Sequence, residues 1–237
     1  MTRALQLAVF DMAGTTIDDR YEVYRVLRDA VEREGARVDD ATFQQWMGTE
    51  KRSAIENLLT LGGIEASEER VDDAFAWFLA ELTRTYTENP PVPLPGVEDA
   101  LATLRAQGLS VGLTTGFSRD IADLILERMG WGVGSAADGA MVDAVVCGDE
   151  VPEGRPAPFM IQQVMTQTSV TDSALVVSVG DTAVDVESAR RAGVLAVGVL
   201  TGKLTRAELE AAGADEVLDG VRDLPQLLSL AEAPESR

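Results

Sequence analysis

Asp11, Thr115, Arg155, Asp181 and Asp185 each sit where an apolar run ends or a helix-like run begins. Asp11 closes "LQLAVFD" (5–11), Thr115 and Gly116 follow "SVGLT", Arg155 lies in "GRPAP", and Asp181 and Asp185 belong to "VVSVGDTAVD". The chemistry these types share is the handling of a phosphoryl group. Asp11 and Asp181 offer hard oxygens to a divalent metal, the habit of Mg²⁺. The Thr115 hydroxyl and the Gly116 amide, at a helix start, suit a phosphoryl oxygen. Arg155 supplies a cation for the remaining charge. Each residue alone has a plainer use, since an aspartate after a strand often caps a helix, a threonine closes a turn and an arginine decorates a surface. Their joint occurrence, in this order and at these positions, favours a site.

The elements that must position them follow from the apolar pattern. "LQLAVFD" is short, apolar and closed by a Gly/Thr loop, the mark of a buried strand. Residues 21–89 change character: "YEVYRVLRDAVEREG", "DATFQQWMG", "TEKRSAIENLLTLGG" and "SEERVDDAFAWFLAELTRTYTENP" carry apolar residues at helical spacing and stop at glycine or proline. They predict about four helices with no strand among them. "PPVPLPG" (90–96) reads as a hinge. Beyond it strands at 110–115, 144–149, 174–181, 194–200 and 216–219 alternate with helices at about 97–107, 118–129, 156–168, 183–192, 205–212 and 223–231. Alternation predicts an α/β fold, a Rossmann-like parallel sheet covered on both faces, with ligands at the carboxyl ends of its strands. The domains expected are an α/β core from 1–17 and 93–237 and an inserted α-helical cap over 18–92. "EAPESR" (232–237) reads as a loose tail.

Composition narrows the chemistry further. The chain has 237 residues, a formal charge of −20, no histidine and one cysteine, Cys147. Nucleic acid and anionic membranes need basic patches, so neither is expected as a partner. Without histidine there is no Ser–His or Cys–His pair and no ordinary Cys/His zinc site. No signal peptide is visible and no apolar run approaches roughly 20 residues, which reads as a cytoplasmic protein.

The motifs resemble those of the haloacid dehalogenase superfamily. "DMAGTT" (11–16) is similar to its nucleophile motif, "LTTG" to its Thr motif, "GRPAP" to its basic motif and "GDTAVD" to its acidic motif, in family order and with the helical cap in the family position. The resemblance implies that Asp11 attacks phosphorus and forms an aspartyl-phosphate that water cleaves. It implies that Asp11, Asp181 and the Ala13 carbonyl bind Mg²⁺ directly while Asp185 orients metal water. Thr115, Gly116 and Arg155 would hold the phosphoryl group.

Ala13 stands where family phosphatases carry a second aspartate, the acid that protonates the leaving alkoxide. Losing it should cost ~10²–10⁴-fold, unless the leaving group needs no acid. The phosphonatase subgroup meets that condition: a cap lysine condenses with a phosphonoacetaldehyde, and the carbon leaves phosphorus as an enamine. "MGTEK" (47–51) resembles the subgroup's Met-Gly-x-x-Lys, making Lys51 the Schiff-base residue and Met47 a substrate contact. Lys51 and Lys203 are the only lysines among 20 basic residues, and arginine cannot form an imine. "TTGFSRD" and "VPEGRPAPFM" also resemble this subgroup. The chain departs from it at Ala54, where the subgroup has a histidine, and at Tyr21, where it has a cysteine. To attack, Lys51 needs a pKa lowered from ~10.4 towards ~7–8. The alternatives are a phosphomonoesterase using Lys51 as a binding cation and a non-catalytic protein that binds a phosphorylated ligand.

Trp46 and Met47 suit either the site mouth or the cap core, and Lys203 either the ligand side or a surface loop. Cys147 reads as inert packing. "GFSRD" lacks the closing glycine of a nucleophile elbow. The partners expected are a small organophosphorus substrate and a second copy of the chain, forming a homodimer through the cap helices.

Overall fold

The structure, a computed structural model, describes residues 4–232; the expected tail falls almost wholly outside them. β1 (Leu7–Asp11) is buried at all five positions. β2 (Ile17–Asp18), α1 (Glu22–Arg33), α2 (Asp40–Gln44), α3 (Lys51–Leu61), α4 (Glu68–Glu88) and β3 (Val92–Pro93) follow. Then come α5 (Val97–Ala106), β4 (Ser110–Thr115), α6 (Arg119–Met129), β5 (Ala144–Cys147), α7 (Phe159–Gln167), β6 (Val176–Gly180), α8 (Ala183–Ala192), β7 (Leu195–Val199), α9 (Arg206–Ala212), β8 (Glu216–Leu218) and α10 (Leu224–Glu232).

The main sheet is parallel, in the order β5-β4-β1-β6-β7-β8. Strand β1 shows why both faces must be covered. Its side chains alternate: Ala8 and Phe10 join a core with Leu101, Leu104, Ile121 and Leu224, whereas Leu7 and Val9 join Ile161, Val164, Val186 and Leu209. Helices α5, α6 and α10 therefore cover one face, and α7, α8 and α9 the other. Helix α7 begins at Phe159 rather than 156. Pro156 and Pro158 lack amide donors, and a proline disfavours helical backbone at the residue before it.

Residues 22–88 form the four expected helices, with α4 packed on α1 and α3. Ser67 caps α4 by accepting the Arg70 amide at 3.4 Å. The sequence pattern did not reveal a two-residue antiparallel ribbon in which β2 pairs with β3. It joins the two chain segments that lead into and out of the helices. Arg20 adds to it, donating to the carbonyls of Asn89 (2.7 Å) and Pro90 (3.1 Å).

Arg20 and Tyr21 adopt left-handed backbone (φ 57° and 59°), which is unfavourable for residues with a side chain. Two aspartates hold them there. Asp18 accepts the Arg20 amide at 2.8 Å, and Asp19 accepts the Tyr21 amide at 3.1 Å. The other Asp19 oxygen takes the Val23 amide (3.0 Å) and the Tyr86 hydroxyl (2.7 Å). Asp19 is thus a buried carboxylate satisfied by donors from α1, its own turn and α4.

Removing one donor from this carboxylate should be felt, because hydrogen bonds to charged groups contribute about 1.5–3 kcal/mol. Tyr86→Phe is expected to lower the unfolding free energy by that amount, read as a lower urea midpoint with an unchanged m value; an unaltered midpoint would show that Asp19 does not depend on Tyr86.

Candidate active site

Topology brings the sequence-distant residues together. β1 lies between β4 and β6, and Asp11 sits in register with Thr114. After Asp11 the chain turns tightly, with the Thr15, Thr16 and Ile17 amides all donating to the Met12 carbonyl. Gly14 has φ 88°, and a Cβ there would lie 2.6 Å from Asp181 Oδ2. Only glycine allows that approach. Thr15 Oγ1 donates to Asp181 Oδ1 at 2.8 Å, and Thr16 Oγ1 to the Asp11 carbonyl at 2.9 Å.

Asp181 follows β6, and Asp185 sits in the first turn of α8. One Asp185 oxygen completes a capping box, accepting from the Thr182 amide at 3.0 Å and from the Thr182 hydroxyl. The other, Oδ1, is buried without a hydrogen bond. It faces Arg155 Nη1 at 3.0 Å as a charge contact only. Arg155 itself is 6% exposed. Its Nη1 donates to Asp11 Oδ1 at 2.6 Å and to the Gly48 carbonyl at 3.4 Å, and its Nη2 to Thr114 Oγ1 at 2.7 Å.

The charges do not balance. Asp11, Asp181 and Asp185 are buried, with one oxygen of each lying within 4.8 Å of the others, and one guanidinium stands among them. Burial pushes Asp11 up to about 6, with Asp185 adding to the rise and Arg155 opposing it. Burial, then Asp11 and Asp185, push Asp181 well above the carboxylate range. Burial works against the Arg155 charge, but Asp185 and Asp11 outweigh it and raise its pKa. Three carboxylates, an unbonded buried oxygen and a deficit of positive charge fit a hard divalent cation. Position 13 contributes no acid; Ala13 lines a cavity of about 190 Å³ with Gly14, Asp19, Tyr24 and Asp181.

The loop 47–51 comes down on this cluster from the helical side. Gly48 (φ 79°) fits against Thr182 and Val184, where a Cβ would meet Thr182 Oγ1 at 2.7 Å. Glu50 caps α3 by accepting the Arg52 and Ser53 amides, and its side chain lies against Gly148 and Gly154. A Cβ on Gly116 would lie 2.5 Å from the Thr49 carbonyl and 3.1 Å from Lys51 Nζ. Lys51 is 4% exposed and donates to the Thr49 carbonyl at 2.5 Å. Burial lowers its pKa from 10.5 to about 8; Arg155 adds to the drop, while Glu50, Asp11 and Asp19 oppose it.

The expected residues thus fall into two groups. Asp11, Arg155, Asp181 and Asp185 meet directly, and Lys51 meets Gly116. The Thr115 hydroxyl accepts the Phe117 amide at 3.2 Å, and its neighbour Thr114 touches Arg155. Met47 lines a cleft of about 460 Å³ with Tyr21, Tyr24 and Lys203, and Trp46 lines a larger one, about 800 Å³, with Phe75 and Arg155. Lys203 Nζ sits over the Tyr21 ring at 4.2 Å. Cys147 is buried, and burial pushes its thiol up to about 12, so it stays protonated. The Ser118 hydroxyl in "GFSRD" is buried without a hydrogen bond. Sequence reasoning missed Thr15, Thr114, Asp19 and Tyr24. The adjacent pair Thr114–Thr115 was the one available signal, because alternate strand residues face opposite sides.

Comparison with known proteins gives a consistent picture. The model of the haloacid dehalogenase-like hydrolase family matches residues 8–199. A phosphonoacetaldehyde hydrolase of Bacteroides fragilis is 31% identical over 265 aligned positions, covering 96% of this chain and 97% of that protein. Among solved structures, a hydrolase from Pseudomonas syringae superposes with a TM-score of 0.80 at 22% identity, over 96% of this chain and 100% of that one. A phosphonoacetaldehyde hydrolase-like protein from Oleispira antarctica gives 0.77 at 24% identity, over 98% and 97%. No helix among the described residues is long and apolar enough to cross a membrane.

Two outcomes follow from the geometry. Gly116→Ala is expected to keep the thermal midpoint within a few degrees and to lower kcat/KM by about 10²-fold, because the methyl displaces Thr49 and Lys51; undiminished activity would show that this close approach is not needed. A divalent cation at 100 times its Kd should stabilise the fold by about 2.7 kcal/mol, read as a raised melting midpoint that Asp181→Ala abolishes.

Proposed function

The chain belongs to the haloacid dehalogenase-like hydrolases, and we propose that within this family it is a phosphonatase-like hydrolase cleaving the carbon–phosphorus bond of phosphonoacetaldehyde or a related aldehyde-bearing phosphonate. One observation carries the reading: a buried lysine with a lowered pKa stands beside the nucleophile cluster, in a site with no acid at position 13. An amine of pKa about 8 is in part neutral near pH 7, and a neutral amine adds to carbonyls.

The residues then divide the work. The neutral Lys51 amine adds to the aldehyde carbon, and loss of water gives an iminium. Asp11 attacks phosphorus as the C–P bond breaks, and the released electron pair moves into the iminium to give an enamine. No alkoxide forms, so no acid is required at position 13. Water cleaves the aspartyl-phosphate, while the enamine takes a proton on carbon and hydrolyses back to the Lys51 amine. Arg155, with Thr115 and the Gly116 amide, holds the phosphoryl oxygens, and Met47 packs against substrate. Mg²⁺ held by Asp11, Asp181 and the Ala13 carbonyl, with Asp185 orienting its water, would supply charge neutralisation when bound. In this reading residues 18–92 are a cap that closes over a core formed by 1–17 and 93–237 and excludes water.

The lack of any histidine favours a second reading, a phosphomonoesterase that uses Lys51 as a binding cation. The two separate on one set of assays with Mg²⁺. The phosphonatase reading expects phosphate release from phosphonoacetaldehyde rather than p-nitrophenyl phosphate, inactivation by borohydride in the presence of substrate, and loss of activity in Lys51→Arg. Lys51 is protonated below its pKa, so borohydride trapping should quicken as pH rises and level off above about 8. Full activity in Lys51→Arg, with release mainly from the ester, would overturn the imine mechanism.

A further inference from the structure

Forming an imine requires a proton to move between nitrogen and oxygen, and no histidine exists to carry it. Hydroxyls near the site are mostly engaged. Thr15 donates to Asp181, Thr16 to the Asp11 carbonyl, Thr49 to the Trp46 carbonyl and Tyr86 to Asp19. The hydroxyls of Ser118, Tyr21 and Tyr24 make no hydrogen bond to any described residue, and of these three only Tyr24, on α1, brings its ring to Lys51. The Lys51 Nζ stands 5.9 Å from the centroid of that ring. Tyr24 also lines both the 190 Å³ cavity shared with Ala13, Gly14 and Asp181 and the 460 Å³ cleft shared with Met47.

We propose that Tyr24 is a catalytic residue whose hydroxyl donates to the substrate carbonyl oxygen while Lys51 adds to its carbon. The assignment rests on the imine reading of Lys51. As the nitrogen–carbon bond forms, the carbonyl π pair moves onto oxygen. Tyr24 gives that oxygen its proton and takes one from the adduct nitrogen, so the phenol ends as it began. When the carbon–oxygen bond breaks, the oxygen leaves as water. The second proton on that water comes from solvent, which took up the one the Lys51 ammonium released at the start, and the nitrogen lone pair closes the iminium. Burial first, then Asp181, Asp11, Asp19 and Asp185, push the phenol well above its ordinary value of 10.0. Its ordinary value of about 10 already keeps the phenol a donor near neutral pH. A donor aimed at developing negative charge in a buried site is worth about 10²–10³-fold.

The test is single-turnover borohydride trapping of phosphonoacetaldehyde on the full-length protein with Mg²⁺, comparing wild type with Tyr24→Phe across pH. The expected result is a trapping rate lower by about 100-fold, with the same pH midpoint and the same melting temperature. An unchanged rate would overturn the assignment while leaving Lys51 in place. A slower rate with a displaced pH midpoint would overturn it too, because it would mean the phenol only packs Lys51. Absence of trapping in wild type would instead remove the imine reading, and the Tyr24 role with it.

Discussion

Burial of three carboxylates around one guanidinium is the constraint on which the rest of the molecule is organised. Like charges at this spacing repel strongly once water is removed. They can be held together only by a frame that does not yield. The central strand β1 supplies the frame, fully buried and paired on both sides. The close contacts around Asp181, with glycines 14 and 202 pressed against its carboxylate, fix the second member. The capping box of α8 fixes the third. The raised pKa values of Asp11 and Asp181 record the cost of the arrangement, and a hydrolase site able to take a divalent cation is where such a cost has a use.

Lys51 depends on the same frame from the opposite side. An amine on a helix surface would remain solvated and protonated. Here its helix begins at Lys51 itself, capped by Glu50, and the preceding loop rests on Gly116, Gly148 and Gly154. Burial at that contact is the main cause of the lowered amine pKa. The chemistry assigned to Lys51 is therefore a property of the junction between helices and sheet, not of the helix alone. The ribbon β2–β3 and the turn at Asp18–Tyr21 set where that junction falls, because they carry both chain crossings.

The apolar alternation of the strands and the helical spacing of the insert were legible in the sequence, because burial imposes period 2 on strands and 3.6 on helices. Asp11, Arg155, Asp181 and Asp185 were legible as well, since the carboxyl ends of parallel strands, and the loops and helix starts that follow them, lie along one edge of the sheet. The β2–β3 ribbon was not legible, being too short to show a period. Nor was the late start of α7, where two prolines outweighed an otherwise helical run.

The sequence by itself determined the α/β class, the family and the identity of the charged residues, because these depend on residue type and order along the chain. Tertiary structure alone decided the environment of each. It placed the Thr114 hydroxyl on Arg155, satisfied Asp19 with Tyr86, lowered the pKa of the Lys51 amine and set that amine 5.9 Å from the centre of the Tyr24 ring. Burial, hydrogen-bond partners and charge spacing arise between residues far apart in the chain, and no local pattern encodes them.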